Sequence, residues 1–118
     1  MIGEGVDTFY VGNQGQFDRT VYGCLKRLRT EYPFIQVWVV LAYLPGKGQD
    51  GEDTLYPEGM ELGPQKFAID RRNRWMIRNC QYCLCYIDHT WGGAYKYAML
   101  SAKKGLCLRN LGNAFITI

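Results

Sequence analysis

Two glycine-bearing segments hold the residues best suited to chemistry: Gly12-Asn13-Gln14-Gly15-Gln16-Phe17-Asp18 and, far along the chain, His89-Thr90-Trp91-Gly92-Gly93-Ala94-Tyr95-Lys96. Glycine lets the main chain approach an anion closely, and a helix that starts just after it aims free N–H groups at that anion. Either segment alone also has the composition of any tight strand-to-helix turn. Together they suggest one nucleotide-sized cleft, with Gly12, Asn13, Gln14, Gly15, Gly92 and Gly93 around phosphate. A third segment, Ala68-Ile69-Asp70-Arg71-Arg72-Asn73-Arg74-Trp75-Met76, sets Arg71 and Arg74 on one side of a helix. Guanidinium groups there hold phosphate through paired donors. The competing account is a solvated helix face, with Asp70 neutralising a neighbour.

Single residues join these segments. Lys96 adds a cation to the second glycine turn, and Thr90 lies within it. Trp91 either stacks on a base or packs over the adjacent helix. Asp18, one turn into its helix, either accepts ribose hydroxyls or caps the helix or pairs with Arg19 or Arg71. Tyr43, at the end of an apolar run, is placed to face the cleft. Tyr95 and Tyr97 lie on different sides of their helix, so at most one lines a site. His89 is expected to fix its turn rather than act as a base, because no serine or thiol nucleophile stands at a motif-defined neighbouring position. Cys80, Cys83, Cys85 and His89 raise a zinc reading, but structural zinc needs a second ligand pair at a compact knuckle. Reduced, buried thiols are expected instead, with no metal and no cofactor.

The elements that must position these residues follow from apolar periodicity. Residues 6–11 read as a short strand ending at Gly12. A helix follows, since Phe17, Val21, Cys24, Leu25 and Leu28 recur at helical spacing, and Pro33 marks its exit. Residues 34–44 are almost unbroken in apolar character, as a strand covered on both faces is. Residues 45–64 are polar, long for a connection without structure of its own, and are expected to form a lid loop. Residues 65–79 look helical, with Ala68, Arg72, Trp75, Met76 and Asn79 along one side. Residues 82–87 and 106–109 read as strands, 94–104 as a helix and 114–118 as a short tail strand. This alternation predicts an α/β architecture, a parallel sheet flanked by helices with right-handed crossovers. Ligands of such sheets bind beyond the carboxyl ends of the strands, where both glycine turns fall.

With 118 residues the chain has room for one domain, spanning 1–118. Its 47% apolar and 21% charged residues exclude a disordered chain or a nucleic-acid tail. No apolar run reaches bilayer length, and Met1-Ile2-Gly3-Glu4-Gly5 lacks the basic-then-apolar pattern of an export signal. A cytoplasmic protein without a membrane partner is expected. A net charge of +3 does not imply a polyanion. Its distribution says more: residues 44–65 carry one cation, Lys47, against five anions (Asp50, Glu52, Asp53, Glu58 and Glu61), a net −4, which leaves +7 for the rest. A compact anion would find favourable surface away from that stretch. Nucleic acid fits poorly as a partner, because the aromatics fall in core-like runs and no extended basic stripe exists.

Three blocks, Thr8-Phe9-Tyr10-Val11-Gly12-Asn13-Gln14-Gly15-Gln16-Phe17-Asp18, Phe67-Ala68-Ile69-Asp70-Arg71-Arg72-Asn73-Arg74-Trp75-Met76 and His89-Thr90-Trp91-Gly92-Gly93-Ala94-Tyr95-Lys96, resemble the small bacterial proteins of the SLOG superfamily. That group includes the Lonely-guy phosphoribohydrolases, DprA and nucleotide-sensing domains of antiviral systems. The resemblance covers nearly the whole chain. It implies a Rossmann-like sheet and a site for a nucleotide or NAD-derived molecule, with the glycine turns around its phosphates.

Two departures shape what the resemblance implies. Phosphoribohydrolases of the superfamily carry a Pro-Gly-Gly-x-Gly-Thr-x-x-Glu block whose glutamate serves catalysis; laid over residues 91–99 here, the glutamate position is Met99. A thioether exchanges no proton. No catalytic residue is therefore assigned, and non-catalytic holding of an ADP-ribose or cyclic ADP-ribose type signal is expected, for sensing or for sequestration as by a phage anti-defence sponge. The alternative is a Lonely-guy-like phosphoribohydrolase or another N-glycosidic-bond hydrolase, with Asp18, Asp70 or Asp88 in place of the glutamate. Relatives also open with a strand and helix that precede the first strand seen here, and that strand lies mid-sheet in the family. The resulting gap is expected to close by direct strand pairing, by residues 115–118 or, as the favoured expectation, by a second subunit in a homodimer.

Overall fold

A computed structural model of the chain describes residues 5–12, 15–44, 53–88 and 90–112. Among them are five short strands, parallel wherever they pair, and three α-helices. The chain divides into two compact units, Met1–Arg72 and Asn73–Ile118.

In the first unit β1 (Thr8–Val11), β2 (Gln36–Val40) and β3 (Thr54–Leu55) form a parallel sheet in the order β1-β2-β3, with α1 (Gln16–Glu31) connecting the first two. Thr8 pairs with Gln36 and Val11 with Val39, while Val39 and Val40 pair with Thr54 and Leu55. The strands form because their branched and aromatic residues have a helix to bury against. Val11, Ile35 and Val37 close over Leu25 of α1, with Phe9, Val21, Tyr22 and Val39 around them. Each fully buried side chain of this kind contributes about 1.5–3 kcal/mol. Of the apolar stripe expected on α1, Leu25 is buried, Val21 and Cys24 are half-buried, and Phe17 and Leu28 at its ends are exposed. The helix stops where the Tyr32 N–H donates to the Leu28 carbonyl at 2.8 Å, one residue before Pro33.

β3 lies inside the stretch expected to be an unstructured lid. It is held at its start by Asp53, whose carboxylate accepts from Arg29 Nη1 and Nη2 at 3.2 and 3.0 Å and from the Tyr22 hydroxyl at 2.9 Å. The Arg29 guanidinium holds the Asp53 carboxyl below its usual range, against a smaller opposing effect of burial. Two 3-10 turns follow, Met60–Leu62 and Gln65–Phe67, and Met60 packs with Ala42, Ala68 and Tyr56. Residues 53–64 are thus built into the first unit; residues 45–52 lie outside those described. A strand of two residues anchored by side chains from elsewhere leaves no periodicity for a sequence pattern to display.

The boundary between the units falls within α2 (Ala68–Arg78). The second unit contains β4 (Tyr82–Cys85), α3 (Gly93–Lys103) and β5 (Cys107–Asn110), with β4 and β5 parallel from Tyr82 opposite Cys107 to Cys85 opposite Asn110. Ile87, Ala98, Ser101 and Ala102 are buried. Asn110 fastens the chain beyond β4: its Oδ1 accepts from the Ile87 N–H at 2.8 Å, and its Nδ2 donates to the Ile87 carbonyl at 3.0 Å. The Gly112 N–H also donates to Oδ1 at 3.0 Å. All five cysteines are free thiols, four half-buried and Cys107 exposed. This corrects the expectation of buried thiols, since a two-stranded sheet of four-residue strands leaves its faces partly open. The expected tail strand at 114–118 lies outside the described residues. Among those described, no helix is long and apolar enough to cross a membrane.

Candidate functional site

β1 runs directly into Gly12, and α1 begins at Gln16 with Gly15 as its N-cap in extended conformation and without a side-chain cap. Asn13 and Gln14, between them, lie outside the described residues. The Arg19 N–H reaches the Gly15 carbonyl at 3.2 Å and closes the first turn. Asp18 is the acidic residue of that turn, where the helix dipole favours a carboxylate. The same carboxylate opposes an incoming anion.

Gly12 is a close-approach point. A Cβ there would stand 2.6 Å from Arg72 Nη1 and 2.8 Å from Asp18 Oδ2. Two opposite charges converge on one spot, which places them within Coulombic reach of each other. Arg72, 4% exposed, reaches the spot from α2, and its Nη1 donates to the Val40 carbonyl at 3.3 Å. A buried guanidinium therefore underpins the carboxyl ends of β1 and β2. Sequence reasoning placed Arg72 on the packing side of its helix without assigning it a role; a cation on an apolar stripe was the available signal.

Arg71 is engaged differently from the expectation. Its Nε and Nη2 donate to the Met60 carbonyl at 3.1 and 2.7 Å, and its Nη1 to the Pro64 carbonyl at 2.7 Å. Gly63 makes the room, since a Cβ there would lie 2.7 Å from Nη1. Arg71 thus bolts α2 to the 3-10 segment through two main-chain carbonyls, that of Pro64 also accepting the Phe67 N–H at 3.1 Å. Arg74 is exposed and falls in the second unit. Tyr43 is exposed just after β2, at the strand's carboxyl end.

The other glycine turn connects β4 to α3. Gly92 has φ of 93°, in the left-handed region that favours glycine, and is the N-cap of α3 with no side-chain cap. The first turn of α3 contains no acidic residue. Lys96 closes it, its N–H donating to the Gly92 carbonyl at 3.0 Å, and its exposed Nζ lies 5.2 Å from the centroid of the Tyr97 ring. Trp91 is 69% exposed, so the indole is not packed down as a core residue. Thr90, Gly92 and Gly93 are exposed too, and His89 lies outside the described residues. Five expected site residues, Thr90, Trp91, Gly92, Gly93 and Lys96, are therefore brought together in one open turn that offers main-chain donors, an ammonium and an aromatic plane. Among the described residues no group of three or more His, Cys, Asp or Glu is arranged to hold a metal ion.

Compared with protein-family models, with curated proteins and with solved structures, the chain matches none.

Proposed function

We propose that this protein binds a phosphate-bearing, nucleotide-derived small molecule of the ADP-ribose or cyclic ADP-ribose type and releases it unaltered, serving to sense or sequester it. The observation that supports the reading is the β4–α3 turn: a helix starting at an uncapped glycine, with no carboxylate in its first turn and with Lys96 and the exposed Trp91 beside it. Uncapped first-turn amides and the helix dipole attract phosphate. An exposed indole supplies a stacking surface for a base. The β1–α1 turn, with Asp18 over Arg72, suits neutral hydroxyl donors better than a second phosphate. On this reading the two small parallel sheets belong to a Rossmann-like arrangement, and the free protein is a homodimer.

Titration calorimetry with ADP-ribose and cyclic ADP-ribose, followed by mass spectrometry of what heat denaturation releases, tests the proposal. Binding with intact ligand returned is the expected result. Lys96→Ala should weaken it about tenfold, and Gly15→Ala should report separately on the first turn, where a Cβ meets nothing within 4 Å and leaves the fold intact. Released products would move the assignment to a hydrolase. No heat with either probe, and no phosphate-bearing molecule accompanying the purified protein, would overturn it.

A further inference from the structure

We propose that the open face of the β4–β5 sheet, built from Tyr82, Leu84, Tyr86 and Arg109, binds single-stranded nucleic acid, stacking its bases and pairing its phosphates with the cations of the second unit. The face follows from the register. Residues two apart on a strand share a side, and partners across a ladder project to the same side, so Tyr82 and Leu84 stand with Cys107 and Arg109, while Cys83 and Cys85 stand with Leu108 and Asn110 on the other. Past the strand's end the alternation continues in burial, with Tyr86 54% exposed and Ile87 2%. α3 packs on both strands, and its Ala98, Ser101 and Ala102 are buried, so the Ile87 side is the covered one. The opposite side keeps Leu84 and Tyr86 exposed, and on it the Arg109 guanidinium lies 6.0 Å from the centroid of the Tyr82 ring.

The aromatics of this run were expected to lie in the core, which counted against nucleic acid as a partner. The fold buries only one of the two sides of residues 82–87. The other side offers two rings, one of them already paired with a guanidinium, separated along the chain by roughly 13 Å at about 3.3 Å per residue. That is room for about two or three bases. Every base has an aromatic face, so a surface of this kind holds bases without reading their sequence, and arginine adds a cation–π contribution.

Charge selects among partners. Residues 73–118 carry six cations, Arg74, Arg78, Lys96, Lys103, Lys104 and Arg109, against one anion, Asp88, whereas residues 1–72 carry eight cations against ten anions. The +3 of the whole chain therefore conceals a second unit of +5. Lys103 and Lys104 are exposed at the end of α3, just before β5 enters the sheet with Cys107 beside Tyr82. An acidic peptide would satisfy the charge but brings no bases to the rings, and a duplex keeps its bases inside its own stack. A single strand presents phosphates and unstacked bases together. The face shares no residue with the turn assigned to the small molecule, so either binding can fail while the other stands.

Fluorescence anisotropy of the full chain with labelled oligothymidylate and oligouridylate of about eight nucleotides tests the proposal. Binding of either is the expected result, and the tighter of the two names the sugar. A DNA duplex of the same length and inorganic polyphosphate, which has charge without bases, should each bind at least about tenfold more weakly. Tyr86→Ala, in protein shown by circular dichroism to be folded, should weaken the single strand about tenfold, and Tyr86→Phe should restore it. Arg109→Gln should reduce the slope of log affinity against log salt by about 0.7, as loss of one phosphate contact does. Absence of binding by both oligonucleotides overturns the proposal, as does polyphosphate or duplex binding as tightly as the single strand, or an unchanged affinity in folded Tyr86→Ala. Should that variant fail to fold, the preference of the unsubstituted chain for single strands over duplex and polyphosphate decides the matter.

Discussion

Gly12→Ala places a methyl group where the side chains of Arg72 and Asp18 already converge. Ordinary contact needs about 3.5 Å, and Arg72 Nη1 stands at 2.6 Å from the new Cβ position. The guanidinium must therefore retreat by roughly 1 Å. Its bond to the Val40 carbonyl is already 3.3 Å long, near the limit for a hydrogen bond, so the retreat breaks it. Loss of a bond donated by a charged group costs about 1.5–3 kcal/mol, and a buried cation left short of partners raises this. The expected destabilisation is about 2–4 kcal/mol, which lowers the melting temperature by roughly 8–15 °C in a chain of this size. Urea titration followed by tryptophan fluorescence measures it. Repeating the substitution in an Arg72→Met background isolates the cause, because the alanine then has no guanidinium to displace. The two changes should be coupled by at least about 1 kcal/mol. Gly15→Ala, three residues on, meets nothing within 4 Å and should lose only about 0.5 kcal/mol. A Gly12→Ala effect below about 0.5 kcal/mol, or the same effect with and without Arg72, would refute the account of the crowded turn.

Three further predictions concern the framework. Arg71→Ala removes the three bonds to the Met60 and Pro64 carbonyls and should destabilise the chain by about 1.5 kcal/mol or more, with limited proteolysis showing new cleavage between residues 56 and 66. Asp53→Asn weakens the link to Arg29, worth about 1 kcal/mol at a partly exposed site. Because the folded carboxyl of Asp53 titrates below its usual range, its contribution is present above about pH 4. It is lost as the pH falls through the depressed folded value, so acid titration of stability should be shallower in the variant than in the parent. Gly112→Ala would put a Cβ 2.3 Å from the Ile87 carbonyl oxygen and 2.7 Å from its nitrogen, main-chain atoms with little freedom to yield, and should destabilise the second unit by about 3 kcal/mol or more, read by hydrogen exchange of the β4 amides.

Much of the fold was legible because long periodic segments announce themselves. The helix read from Phe17 onwards is α1, and the helix read at 94–104 is α3, begun one residue earlier at Gly93. The helix read at 65–79 is observed as α2 from Ala68, its first three residues wound as a 3-10 turn after Pro64. The apolar run at 34–44 is longer than β2: Leu41 and Ala42 are buried beyond the strand's end, while Phe34, Tyr43 and Leu44 at the margins of the run are exposed, so hydropathy there marks neither ladder pairing nor burial residue by residue. β3 was invisible for the converse reason, because its place is set by Arg29 and Tyr22, far from it in the chain, which hold Asp53 at its start. In the site, the glycine turns and their helix starts could be read from residue type and order. The destinations of Arg71 and Arg72 could not, since neighbouring arginines on one helix differ in sequence only by rotation, and what each meets depends on segments separated from it in the chain.

The amide of Asn110 has a consequence for how the second unit can evolve. By giving one hydrogen to Ile87 and taking one from it, that side chain serves as a surrogate peptide group and adds a rung to the ladder where the partner strand has already turned away. Aspartate would lack the donor, and glutamine would overshoot by one methylene. The loop leading toward the second glycine turn can therefore vary in length and composition while its root stays pinned, so new binding preferences could be written into that loop without rebuilding the sheet beneath.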